Sequence, residues 1–117
     1  MGKRIARKTD KRISKKLDKK ILETVKKYLA EVGKHYKIDG AYLFGSHAEG
    51  TNHEESDIDV AILLDEIKSR FQERINLSKY CWGIDTRIEP HPIETRDYKS
   101  RAGILANEIF RTGVKII

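Results

Sequence analysis

Residues Asp57 to Leu64 read DIDVAILL, and this run constrains the fold more than any other in the chain. At the two-residue period of a strand, Ile58, Val60, Ile62 and Leu64 line one face and Asp57, Asp59, Ala61 and Leu63 the other. The first face is wholly apolar, which anchors the strand in a core. The second opens with two carboxylates on one side, roughly 6–7 Å apart along the chain. Two anions held there repel unless a cation lies between them. Hard oxygen donors with room for water and phosphate suit Mg2+. Ala61, next on that face, is small and leaves space for a ligand.

The neighbouring segments supply the layers such a strand needs. Ala41-Tyr42-Leu43-Phe44, between Gly40 and Gly45, reads as a second buried strand. Upstream, Ile13, Leu17, Ile21, Leu22, Val25, Leu29 and Val32 form the stripe of one long helix from about Lys11, ended by Gly33 or the Lys37–Gly40 stretch. Downstream, Glu66 to Tyr80 reads as a helix with Ile67, Phe71, Ile75 and either Leu77 or Ser78 inward. Ile84 to Glu89 reads as a third strand stopped by Pro90, with Pro92 opposing its resumption. Asp97 to Arg111 reads as a helix weakened at Gly103, and Val114 to Ile117 as a last short strand. The expectation is an α/β (α+β) domain: a small mixed sheet flanked by helices.

At 117 residues the chain suits one domain with one core. No apolar run approaches the roughly 20 residues that span a bilayer. The basic N-terminus has no apolar segment behind it and does not read as a secretory signal. Cys81 is the only cysteine, so no internal disulfide forms. These features predict a cytoplasmic protein with no membrane attachment. The net charge of +6 is unevenly placed. Residues 1–20 hold ten Lys/Arg against Asp10 and Asp18, a balance of +8 that leaves −2 for the remainder. We read residues 1–12 as a basic, flexible arm and 13–117 as the folded domain. The basic segment serves either as a solvated extension or as a phosphate-neutralising arm for nucleic acid. It carries no aromatic residue to stack on bases.

The second half of the candidate site is Gly45-Ser46. A strand ends at Gly45 and a helical turn begins at Ser46, with Ser46 and Glu49 spaced as a capping box and Gly50 as the C-cap. Glycine admits phosphate close to the backbone, free N–H groups favour an anion, and the Ser46 hydroxyl adds a hydrogen bond. Metal at one edge and phosphate at the next is the equipment for phosphoryl or nucleotidyl transfer. Neither Gly-Ser nor D-x-D alone would carry this reading; their combination at this spacing does.

The run LFGSHAEGTNHEESDIDVAIL, residues 43–63, resembles the signature of minimal nucleotidyltransferases of the DNA polymerase β superfamily. In that signature Gly-Ser is followed after about ten residues by Asp-x-Asp, and Gly50 and Ser56 fall at commonly shared positions. The resemblance implies the polymerase-β-like nucleotidyltransferase fold and a third carboxylate on the following strand. Ile84-Asp85-Thr86-Arg87 matches the third motif and selects Asp85; Glu89, about 13 Å further along the strand, is the alternative. It also implies transfer assisted by two Mg2+ ions, with ATP or another nucleoside triphosphate as substrate. Asp57, Asp59 and Asp85 would be the catalytic and metal-holding set, and Gly45 and Ser46 the nucleotide grip. Arg87 would steady Asp59 or the phosphates, or form a structural ion pair. Similar small proteins are often encoded beside a HEPN-domain partner as an antitoxin that adds AMP to the toxin. A contact-only antitoxin, or an enzyme modifying nucleic-acid ends through the basic arm, are the competing expectations.

No histidine enters this ligand set. His47 and His53 lack metal-ligand spacing, His35 ends a helix, and His91 between Pro90 and Pro92 reads as a turn residue. Cys81 reads as a buried thiol and Trp82 as a packing indole, with base stacking as its other use. Tyr42 reads as core.

Overall fold

The computed structural model describes residues 17–117. The arm at residues 1–12 and the helix start at Lys11 lie outside the described residues. Helix α1 spans Lys19–Val32 and begins at Asp18, whose carboxylate accepts from the Lys20 N–H at 2.7 Å. The stripe from Leu17 to Ile21 therefore does not run as one helix: Asp18 is extended (φ −77°, ψ 127°) and interrupts it. From there Ile21, Val25, Tyr28, Leu29 and Val32 are buried at helical spacing, and Gly33 caps the end.

Strand β1 (Gly40–Phe44), the short helix α2 (Ser46–Glu49) and strand β2 (Ile58–Leu64) follow where the sequence puts them. Helix α3 (Arg70–Ser78) runs into a 3-10 turn (Lys79–Cys81), then come β3 (Ile88–Glu94), α4 (Thr95–Lys99), α5 (Gly103–Thr112) and β4 (Val114–Lys115). Among the described residues the sheet has four strands in the order β3-β2-β1-β4. β1 is antiparallel to β2 and β4, and β2 is parallel to β3, which makes the sheet mixed as expected.

Both faces of the sheet are covered. Ala41, Leu43, Ile58, Val60 and Ile62 pack with α1 and with Leu77 of α3. Phe44, Ala61, Leu63 and Ile93 pack with Ala106 and Ile109 of α5. On this second face α5 lies against β1, and α4 against β2 and β3. Asp59 and Glu89, at the strand starts, stay half-buried rather than sealed.

Four sequence expectations need correction here. The third strand is not Ile84–Glu89; β3 spans Ile88–Glu94 and contains both prolines. It is an edge strand, and Ile58 donates its N–H to the Arg87 carbonyl at 2.9 Å. Odd positions of β3 thus present their backbone groups to β2. Pro90 and Pro92, at even positions, turn their missing donors to the outer edge, where a sheet tolerates proline.

The second concerns α3, which starts at Ser69, whose hydroxyl accepts from the Gln72 N–H. Its inward face carries Leu77 and the half-buried Glu73, while Phe71 and Ile75 are 75% and 42% exposed. The anchors are polar: Tyr28 donates its hydroxyl to the Leu77 carbonyl at 2.9 Å, and Tyr36 bonds the Glu73 carboxylate. Hydrophobic periodicity does not register such anchors.

Third, the helix expected over Asp97 to Arg111 is two helices. The break lies at Arg101 (φ 55°) and Gly103 (φ 90°). Trp82 is also not a packing indole: it is 77% exposed, in the turn that Gly83 (φ 83°) completes before β3, while Cys81 beside it is buried.

Candidate functional site

The geometry at Gly45 is set by the close approach of two strands. Phe44 pairs with Asp59 across the antiparallel β1–β2 register, so the chain leaves β1 directly over the Asp59 side chain. Gly45 has φ 78° and ψ −153°, a conformation open to glycine alone, and a Cβ there would stand 2.5 Å from the Asp59 Oδ2. A bare backbone thus lies against a carboxylate. Gly45, not Ser46, occupies the N-cap position of α2, and no side chain makes the capping bond. The expected capping box is absent because Ser46 has already entered the helix. Gly50 does close α2 in the left-handed conformation (φ 78°, ψ 19°).

The loop from Thr51 to Asp57 is mostly exposed but tied at several points. His53 donates its N–H to the Ser56 hydroxyl, and the buried His47 places Nε2 3.3 Å from the Ser56 carbonyl. Asp57 is exposed immediately before β2.

Asp59 has company that the sequence does not advertise. In the parallel β2–β3 register Asp59 pairs with Glu89 and Ala61 with His91. Positions 59, 61, 89 and 91 share one face, and Ala61 is too small to fill the space before His91. His91 therefore reaches across: its Nε2 lies 3.0 Å from the Asp59 Oδ1 and 3.5 Å from the Glu89 Oε1. One donor atom from each of Asp59, Glu89 and His91 falls within 4.8 Å of the others, a grouping able to hold a metal ion. Arg74 of α3 bonds the Glu89 Oε1 at 2.7 Å. His91 is thus a mid-strand residue and not a turn former. Only the register between two strands some thirty residues apart could have revealed it.

Asp85 lies elsewhere, in the turn before β3. Both its oxygens are engaged by Arg87: Nε and the backbone N–H donate to Oδ1 at 3.1 and 2.9 Å, and Nη2 donates to Oδ2 at 2.8 Å. Arg87 also donates from Nη1 to the Glu54 carbonyl at 3.0 Å. These bonds from Arg87 hold the Asp85 carboxyl below the usual carboxylate range. The pair pins the loop before β2 to the entry of β3. Of the residues singled out from sequence, Gly45, Asp59 and Glu89 meet in one place. Ser46 follows Gly45 in the chain, Asp57 is exposed just before β2, and Asp85 is tied into an ion pair.

The fold around these residues has counterparts in known proteins. The family described as polymerase beta nucleotidyltransferase matches residues 12–117. The chain belongs to that family. Solved structures agree on the fold. A candidate nucleotidyltransferase from Sulfolobus solfataricus superposes with a TM-score of 0.61 at 22% identity, covering 81% of this chain and 78% of that one. A toxin–antitoxin structure with AMP-PNP gives a TM-score of 0.61 at 25% identity, covering 82% and 72%. A mutant of the toxin–antitoxin MntA–HpeT, with two aspartates spaced two residues apart changed to glutamate, gives 0.59 at 22% identity with the same coverage. No curated protein matches the chain. Membership supports general nucleotidyl-transfer chemistry for the chain. Among the described residues no helix is long and apolar enough to cross a membrane.

Proposed function

We propose that this protein transfers a nucleotidyl group, AMP from ATP, to an acceptor hydroxyl on a partner protein of the HEPN toxin class, with a divalent cation at Asp57, Asp59 and Glu89. The observation that carries the reading is the Asp59–Glu89 pairing beside the bare Gly45 backbone. Two of these donors fit a small divalent cation: the Asp59 and Glu89 carboxylates converge from neighbouring strands that hold them rigid, and Asp57 directly precedes the first of those strands. Such a cation, Mg2+ as first expected, lowers the pKa of an acceptor hydroxyl and offsets charge on the triphosphate.

The chain's own residues do the rest. Gly45 lets the backbone lie against the Asp59 carboxylate, and Ser46, free of a capping duty, offers its hydroxyl to a phosphate of the nucleotide. Glu89 is proposed as the third carboxylate in preference to Asp85, because Asp85 spends both oxygens on Arg87. The apolar floor of β2 keeps Asp59 from drifting. The adenine nucleotide and a toxin partner are suggested by the 25%-identical toxin–antitoxin structure with AMP-PNP; the HEPN class of that partner rests on the sequence resemblance alone.

The test is incubation with radiolabelled ATP, Mg2+ and two acceptors, the protein encoded next to it and bulk RNA, with Asp57→Asn/Asp59→Asn as control. Metal-dependent label on the neighbour, absent from the control, supports the proposal. Label on RNA moves the acceptor to nucleic acid. No label, with equal neighbour binding by wild type and variant, leaves a contact-only antitoxin.

A further inference from the structure

His91 does not belong to an all-carboxylate site, and its placement is too constrained to be incidental. Its backbone is fixed between Pro90 and Pro92 in the parallel register with Ala61. Its ring meets Phe44 edge-on, with centroids 5.0 Å apart and planes at 69°. The side chain is 18% exposed, and Nε2 points at the one place where Asp59 and Glu89 converge. At the ~2.1 Å bonds of a small divalent cation, neighbouring ligand atoms stand about 3 Å apart and opposite ones about 4 Å. The separations of 3.0 and 3.5 Å from Nε2, inside a 4.8 Å group, match that spacing with little movement.

We propose that His91 is a direct nitrogen ligand of the cation held by Asp59 and Glu89, and that the site prefers a transition dication such as Mn2+ to Mg2+. The inference rests on the proposed cation site and deepens it. To ligate, the ring presents the Nε2 lone pair and keeps its hydrogen on Nδ1. Mg2+ strongly prefers oxygen and sheds water reluctantly, whereas imidazole is an ordinary ligand for first-row transition cations. Arg74 holds Glu89 from the α3 side, so the two protein elements flanking the cation are fixed before it arrives.

The experiment uses the full chain and Mn2+ alone, without nucleotide. Pulsed electron paramagnetic resonance of bound Mn2+ should show a nitrogen hyperfine coupling, which should change to the 15N pattern when the protein is made with 15N-histidine. His91→Gln should still fold by circular dichroism, lose the coupling, and bind Mn2+ about 10-fold or more weakly, the least expected when even an outer-shell partner costs that much. The wild-type isotope exchange stands if the variant fails to fold. Bound Mn2+ without histidine nitrogen, coupling that survives in His91→Gln, or no Mn2+ binding at millimolar concentration overturns the inference. Transfer measured separately with Mg2+ keeps the two readings apart. Transfer without nitrogen coupling sinks only the ligand assignment; nitrogen coupling without transfer sinks only the enzymatic reading.

Discussion

Replacing Gly45 with alanine tests the geometry at the heart of the site, and the structure assigns its cost to two separable causes. The first is conformational: a side chain at φ 78°, ψ −153° is strained wherever the Cβ points, at about 1–3 kcal/mol. The second is steric. The new Cβ would lie 2.5 Å from the Asp59 Oδ2, so the carboxylate must swing out of its rotamer, at about 0.5–1.5 kcal/mol. Gly45→Ala should therefore lose about 2–4 kcal/mol, with Tm falling by about 4 °C for each kcal/mol. Asp59→Ala removes the atoms that collide but leaves the backbone strain. In that background Gly45→Ala should cost about 0.5–1.5 kcal/mol less, a coupling that a double-mutant cycle in urea resolves. Equal costs in both backgrounds, within about 0.3 kcal/mol, would show that the glycine does not abut the carboxylate. A cost under about 0.5 kcal/mol in both would remove the backbone strain as well.

Three further outcomes follow from the same coordinates. Asp85→Asn should destabilise at pH 7 by about 1–3 kcal/mol through its bonds to Arg87, yet spare transfer; Glu89→Gln should abolish transfer at little cost in stability. Because Arg87 lowers the Asp85 pKa, its stabilisation is complete above the unfolded value of about 4 and is lost as pH falls through the lower folded value. The wild-type advantage in urea unfolding should thus shrink below about pH 4, and a gap that widened there would contradict the ion pair. Burial pushes the Cys81 thiol up to about 11, so a disulfide reagent at pH 8 should label it only upon unfolding; rapid native labelling would place it at the surface. Phe71→Ser should change stability by no more than about 0.5 kcal/mol, since Phe71 is three-quarters exposed, whereas a loss above about 2 kcal/mol would restore it to the core.

Local signals and long-range ones fared differently, for a physical reason. β1, β2 and the turn between them were legible because alternation, glycine and burial act within a few residues. The two faces of DIDVAILL are found as read from Ile58 to Leu64, while Asp57 lies just before the strand. What depends on partners was not legible. α3 is oriented by the Tyr28 and Tyr36 hydroxyls, so Phe71 and Ile75 turn outward despite their helical spacing. Arg101 and Gly103 break a helix through positive φ values that composition only hinted at.

The prolines show how one local rule can hide a site. Pro90 and Pro92 argue against a strand only if each residue's N–H is needed by a neighbour. On an edge strand half of them are not, and both prolines fall on that half. Reading them as terminators sets the strand's far end five residues upstream, at Glu89 instead of Glu94, and places Asp85 inside it. With β3 in its true register the same parity that accommodates the prolines puts Glu89 and His91 on the face of Asp59. The feature that excuses the prolines and the feature that gathers the cluster are therefore one: the alternation of an edge strand paired on a single side. Insertion of one residue between Arg87 and Glu89 would shift that parity, turn Pro90 and Pro92 toward β2 and remove Glu89 and His91 from Asp59 together.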